Sequence, residues 1–184
     1  EAIGRVHSAV APHNPGLLTL LVPRHPNRGP AIAARLRAAG FRVARRGGGE
    51  SPGADTEIYV ADTMGELGLW YRLTEIVVIG GSLAPKGGQN VLEPARLGCA
   101  IICGPHMNNF MRMAEDMARA QAIRRVADDA ALAEAVGALL RDSAARQGLA
   151  TAAAAFATAQ AGVLDGIMAA LAPHLDRAAH TKSP

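Results

Sequence analysis

An α/β domain, with an open parallel sheet covered by helices on both faces, is the fold class that this 184-residue sequence predicts. Apolar runs of strand length recur along the chain, segments with helical spacing separate them, and glycine or proline stands at most of the junctions. Strands alternating with short helices specify βαβ units, and in such sheets a ligand sits outside the carboxyl ends of the strands.

The elements follow in order. Residues 1–11, apolar at Ile3, Val6 and Val10, read as an amphipathic helix. His13-Asn14-Pro15-Gly16 turns the chain into residues 17–22 (LLTLLV), an apolar run of the kind found in the middle of a parallel sheet, which Pro23-Arg24-His25-Pro26 ends. Residues 29–39 carry helical spacing at Ile32, Leu36 and Ala39 with Gly40 as the stop, and residues 41–44 alternate like a short strand. Residues 45–55 (RRGGGESPGAD) are polar and glycine-rich and mark a surface loop. Strand resumes at 57–61, and Asp62 or Thr63 is placed to cap a helix over 65–73. A strand at 76–79, a glycine loop, a helix from about residue 90 to residue 98 and a strand at 100–103 come next. Residues 109–120 read as helix and 123–126 as a short strand, while 130–140 and 144–171 read as closing helices with Pro173 near the end. No repeat or long linker divides the chain, so residues 1–184 are expected to form one domain whose residues 144–184 are a helical segment.

The chain is 49% apolar, enough for a real core, but only 3% aromatic, so that core is expected to be built mostly from Ala, Leu, Val and Ile. A net charge of +3 is mild, and the arginines are scattered without a DNA or RNA motif, so nucleic acid is not an expected partner; an anionic ligand or a membrane surface suits the balance. Cys99 and Cys103 flank Ala100-Ile101-Ile102 with no second pair, and read as small buried hydrophobes. No signal peptide stands out, nor any apolar stretch of about 18 residues that could span a bilayer. The chain opens on Glu1 instead of a methionine and reads as a piece of a longer polypeptide, soluble by itself.

The stretch from Gly80 to Pro94 (GGSLAPKGGQNVLEP) joins the end of an apolar run to a helix start. Its glycines allow positive φ and close approach of a ligand to the main chain. Asn90 followed three residues later by Glu93 fits a capping box, and free amides at a helix start favour an anion. Ser82, Lys86, Gly87 and Gly88 are the candidate phosphate contacts; the local pattern also fits a simple strand-to-helix turn. Arg24 can hold a phosphate through parallel N–H bonds, Met64-Gly65-Glu66 offers backbone groups at a helix start, and Glu93 can accept from the hydroxyls of a ribose. His25 and His106 lack a partner at metal-ligand spacing, so no metal is expected. Neither a Ser-His-Asp set, a Gly-x-Ser-x-Gly elbow nor a Walker motif is present.

Taken together, VPRHP (22–26), DTMGEL (62–67), GGSLAPKGGQNVLEPA (80–95) and GPHMNNF (104–110) closely resemble, in order and spacing, the C-terminal domain of the 3-deoxy-D-manno-octulosonic acid (Kdo) transferases that modify lipid A. The resemblance covers about residues 1–142 by motif and the remainder by helix pattern. It implies a Rossmann-like domain, the C-terminal half of a GT-B glycosyltransferase, holding the donor CMP-Kdo. It implies that Pro23 and Arg24, Met64, Gly65 and Glu66, and Asn90, Val91, Leu92 and Glu93 line the donor pocket. Many members of that family carry histidine where this chain has Gln89, which keeps hydrogen bonding but carries no charge. The resemblance further implies transfer without a metal or other cofactor onto a lipid A precursor (lipid IVA), at the cytoplasmic face of the bacterial inner membrane. The general base and acceptor site belong to an N-terminal domain absent from this chain, so no catalytic residue is expected here. Two other readings are carried with it: half of another nucleotide-sugar enzyme, such as a UDP-sugar transferase or epimerase, and a non-catalytic nucleotide-binding module.

Overall fold

Residues 2–180 are described by the computed structural model. In chain order they form α1 (Ala2–Val10), β1 (Thr19–Leu21), α2 (Gly29–Ala38), β2 (Val43–Arg45), β3 (Ile58–Val60), α3 (Leu67–Leu73), β4 (Ile76–Val78), α4 (Leu92–Arg96), β5 (Ala100–Cys103), α5 (Met111–Arg119), β6 (Arg124–Arg125), α6 (Asp129–Arg141) and α7 (Ser143–His180). All pairings are parallel, in two three-stranded sheets of order β1-β3-β2 and β4-β5-β6.

The middle strand of each sheet is its most apolar segment, and both β3 and β5 are buried throughout, as parallel strands covered on two faces must be. Side chains alternate along a strand, so each serves two cores. Ile101 and Cys103 of β5 pack with Val91, Ala95, Met117, Ala153 and Ala157, whereas Ala100 and Ile102 turn to Val6, Val10, Leu132 and Leu139. In β3, Ile58 and Val60 meet Ala33 and Leu36 of α2, while Tyr59 packs with Ala44 and Trp70. Fully burying one such isoleucine contributes about 2 kcal/mol. Cys99 and Cys103 are free and buried, and burial pushes both thiols upward. In α7, buried Ala150, Ala153 and Ala157 recur at helical spacing and let the helix lie close on β5 and α4.

Some boundaries move. The run at 17–22, expected in the middle of a sheet, pairs only over Thr19–Leu21 at the edge of its sheet, with Leu18 and Val22 37% and 39% exposed. An apolar run reports where side chains go, not how many strands flank it: Leu17 joins the α1–α6 core, Leu20 meets Tyr59 and Trp70, and Leu21 faces α2. Asp128, which the sequence reading passed over, caps α6 by accepting the Ala131 amide at 2.9 Å. The helix expected to end near Pro173 continues to His180, since a proline removes one helical donor without forbidding the helix around it.

α1 ties the two sheets together. Its Val6 and Val10 sit on β5, a Cβ on Gly4 would come 2.9 Å from the Phe41 ring, and the buried His7 shares a 2.9 Å hydrogen bond between Nδ1 and Thr19 Oγ1 of β1. His7 Nε2 has no partner among the described residues, and burial lowers its pKa below the ordinary 6.5, with Glu57 opposing and Arg42 reinforcing that shift. Protonated His7 is therefore disfavoured in the folded state. The stabilisation is fully present above 6.5 and is lost as pH falls below it, because the unfolded chain takes up the proton first. Urea midpoints measured from about pH 7.5 down to about 5.5 should fall more steeply for the native chain than for His7→Gln; parallel curves would refute this.

Candidate functional site

Parallel pairing puts the carboxyl ends of the strands of each sheet on one edge, and the loops leaving β1, β2, β3, β4 and β5 form that rim. Its organising side chain is Asp62, two residues beyond β3 and 2% exposed at the side chain. One carboxylate oxygen accepts Arg45 Nη1 at 2.8 Å and the other accepts the Gly47 amide at 2.7 Å. A Cβ on Gly29, at the start of α2, would overlap the same carboxylate. Asp62 thus clamps the loop after β2 onto the end of β3, with Gly29 packed against it, and is not a helix cap. α3 begins at Leu67, two residues later than expected, and no side chain caps it. The polar stretch 45–55 is exposed over 46–55, as a surface loop should be, and is anchored at its beginning by this clamp.

Glu66 follows on the same loop. Arg46 holds it through two parallel bonds, Nε at 3.1 Å and Nη2 at 2.7 Å, and Thr63 Oγ1 also donates to it. Arg46 first, then Thr63, keeps the Glu66 carboxyl below its usual range, while Glu66 raises Arg46 in return. The Arg46 guanidinium also lies 5.9 Å over the Trp70 ring. With its carboxylate bound in this way, Glu66 props the turn that carries Met64, 79% exposed, and Gly65, whose φ of +81° requires glycine.

The glycine loop differs most from expectation. Ser82 is fully buried, its hydroxyl donating to Ile79 O at 2.6 Å and accepting the Gly104 amide at 2.8 Å, so it is not placed to contact a phosphate. Gly87 and Gly88 are buried against the segment after β5: a Cβ on Gly87 would lie 2.6 Å from Asn109 Cγ, and one on Gly88 3.0 Å from Met107 Cε. The Gly88 amide is already bonded to Gly81 O at 3.3 Å. These glycines make a packing seam with GPHMNNF and not an open cradle, leaving Lys86 exposed beside them. The capping box does not form either. Asn90 Oδ1 accepts the Leu92 amide at 3.0 Å, α4 spans only Leu92–Arg96, and Glu93 stands exposed. A five-residue helix aligns few peptide dipoles, so its N-terminus adds little field. Val91, expected to line the donor pocket, is fully buried in the core and offers no surface to a ligand, and Leu92 is half-buried.

The rim nonetheless brings separate motifs together. Arg24, exposed just beyond half-buried Pro23, donates from Nη1 to Oε1 of Gln89 at 2.5 Å, joining the loop after β1 to the loop after β4. α3 packs beside α4: Cys99 Sγ reaches Tyr71 O at 3.2 Å, and burial together with the Glu93 charge pushes the Tyr71 hydroxyl up to about 12. Arg24 and Gln89 therefore meet, with Lys86, Asn90 and Glu93 on the chain either side of Gln89, while Met64–Glu66 lie on the loop after β3. Sequence reasoning missed Arg45 and Arg46, whose side chains hold Asp62 and Glu66; the adjacent RR in a polar stretch gave no hint of separate partners. Among the described residues no group of three or more His, Cys, Asp or Glu side chains gathers as metal ligands, and no helix is long and apolar enough to cross a membrane.

This fold, with its motif loops on one rim, is that of known glycosyltransferase C-terminal domains. The architecture is shared with the C-terminal domain of a glycosyl transferase group 1 family protein (LpcC) from Francisella tularensis, with a TM-score of 0.59 at 18% identity over 86% of this chain and 76% of that one. The chain is similar at a TM-score of 0.78 and 31% identity to the C-terminal CMP-Kdo binding domain of WaaA from Acinetobacter baumannii, covering 84% of this chain and 82% of that domain. It is also 38% identical over 165 residues to the 3-deoxy-D-manno-octulosonic acid transferase of Bordetella pertussis. The chain belongs to the 3-deoxy-D-manno-octulosonic acid transferase family. No protein-family model matches it. The Bordetella match takes in 88% of this chain but only 38% of that protein's length.

Proposed function

We propose that this chain is the donor-binding domain of a GT-B Kdo transferase and holds CMP-Kdo at the rim described above. The observation that carries the reading is the Arg24–Gln89 contact, which draws two of the resemblance motifs to one spot, in a chain 31% identical to a CMP-Kdo binding domain. Arg24 faces the donor's phosphate, Lys86 lies close enough in sequence to share that role, and backbone groups of Met64 and Gly65 meet the cytosine, with the exposed Met64 thioether packing on the ring. Glu93 accepts from the ribose hydroxyls, and Pro23, Asn90 and Leu92 shape the floor.

In the transfer, the bond between the anomeric carbon and the phosphate oxygen breaks, a new bond forms to the acceptor hydroxyl, and the hydroxyl proton passes to a general base. CMP leaves with one phosphate, whose charge Arg24 and Lys86 offset, so the reading calls for no divalent ion or other cofactor. The base, the lipid A precursor and contact with the inner-membrane surface are assigned to an N-terminal acceptor domain. Because reaction needs both domains closed over the donor, this chain alone should bind CMP and transfer nothing.

Calorimetric titration of CMP into the chain tests the proposal. Arg24→Ala and Glu93→Ala should each weaken binding about tenfold, the loss expected for a hydrogen bond to a charged group. Affinity unchanged in both variants would remove the site map, and UDP competing as well as CMP would favour a UDP-sugar enzyme. CMP at 100 times its dissociation constant should raise stability by about 2.7 kcal/mol; no nucleotide effect on melting would favour a module of another kind.

A further inference from the structure

The rim arginines are not equivalent. Arg45 is neutralised by Asp62 at 2.8 Å and Arg46 by Glu66 at 2.7 Å, whereas Arg24 is held by the uncharged amide of Gln89 and has no carboxylate partner among the described residues. A carboxylate at position 89 would hold the guanidinium equally well and cancel its charge. An amide oxygen fixes one N–H and leaves both the charge and the remaining donors of the fork for an incoming anion. Gln89 is itself half-buried, just after buried Gly87 and Gly88, which the Met107–Asn109 segment packs down. A long, flexible arginine on the loop after β1 is thereby tied to a fixed point on the loop after β4, which lowers the entropy lost when it engages a ligand.

We propose that Gln89 is a positioning residue for anion recognition: it aims Arg24 across the junction of the two sheets without neutralising it, so that the phosphate of the bound nucleotide meets a pre-oriented, uncompensated cation. This rests on the donor reading above only in needing a nucleotide phosphate, whatever the base. Gln89 is not expected to contact the nucleoside.

The test compares nucleotide with nucleoside. Affinities of CMP and cytidine, and of UMP and uridine, are measured for the native chain, Gln89→Ala and the nearly isosteric Gln89→Glu, with melting temperatures alongside. The nucleotide-to-nucleoside ratio should fall about tenfold in Gln89→Ala and further in Gln89→Glu, while nucleoside affinity stays level. A general structural defect would lower both members of a pair together and overturn the assignment. CMP bound with an unchanged ratio in both variants overturns the role of Gln89 and leaves the CMP donor standing. UMP bound with the expected losses while CMP fails to bind overturns the CMP donor and leaves Gln89 standing. Tighter nucleotide binding in Gln89→Glu contradicts the charge argument directly.

Discussion

Asp62→Ala is expected to lower stability by about 3 kcal/mol, the usual cost of removing one member of a buried ion pair. In a chain of this length that corresponds to a fall in melting temperature of roughly 6–12 °C. The side chain is 2% exposed, and its loss strands Arg45, only 22% exposed, together with the Gly47 amide. Water cannot fully replace a carboxylate at that depth, so the cost is that of leaving a cation and a donor unpaired, not merely of losing two bonds. Asp62→Asn keeps an acceptor for Gly47 but not the charge, and should fall between the native chain and the alanine variant. Gly29→Ala drives its new methyl into the same carboxylate and should also destabilise. Because the two substitutions meet at one point, the double variant should be more stable than the sum of the single losses predicts. Thermal melts settle the matter: Asp62→Ala within about 2 °C of the native chain, roughly the effect of one kcal/mol or less, would mean that the clamp is not formed.

That clamp also shows what the sequence can disclose and what it cannot. β5 was legible to the residue, because the five consecutive apolar positions between Gly98 and Gly104 leave little choice, and Cys99 and Cys103 read correctly as buried hydrophobes. The convergence of the motif loops on one rim was legible too, since alternating strands and helices place all carboxyl ends on one edge. What failed was the local explanation of each loop. Asp62 looked like a cap because caps are recognised by neighbours in sequence, whereas its partners Gly47 and Arg45 lie 15 and 17 positions away. Asn90 and Glu93 have capping-box spacing, but Asn90 turns its side chain to the Leu92 amide and the helix starts after it. Met64-Gly65-Glu66 was read only for its backbone groups, whereas the Glu66 carboxylate is held by Arg46, 20 positions earlier. Local pattern named the loops; contacts between distant residues decided what each side chain does there.

Gly104→Ala should be as damaging as any single methyl added to this chain, at about 3 kcal/mol, the upper end for overpacking when the obstacle cannot rotate away. The new Cβ would lie 2.6 Å from the Ser82 carbonyl carbon and 2.8 Å from the Leu83 nitrogen, both backbone atoms of the glycine loop. Two bonds stitch the two segments at this place, Gly104 N to Ser82 Oγ at 2.8 Å and His106 N to Ser82 O at 2.9 Å, while the Ser82 hydroxyl donates within its own segment to Ile79 O at 2.6 Å. Forcing the segments apart breaks the stitch and loosens the seam at Gly87 and Gly88, and with it the anchor of Gln89. Ser82→Ala removes the hydroxyl but leaves the backbones in place, so its cost should be about 1–2 kcal/mol, that of an unsatisfied buried amide. The order of melting temperatures is therefore native, then Ser82→Ala, then Gly104→Ala, and CMP affinity should follow the same order. If Gly104→Ala melts no lower than Ser82→Ala, the two segments do not approach as closely as the geometry requires, and the rim must be held together in another way.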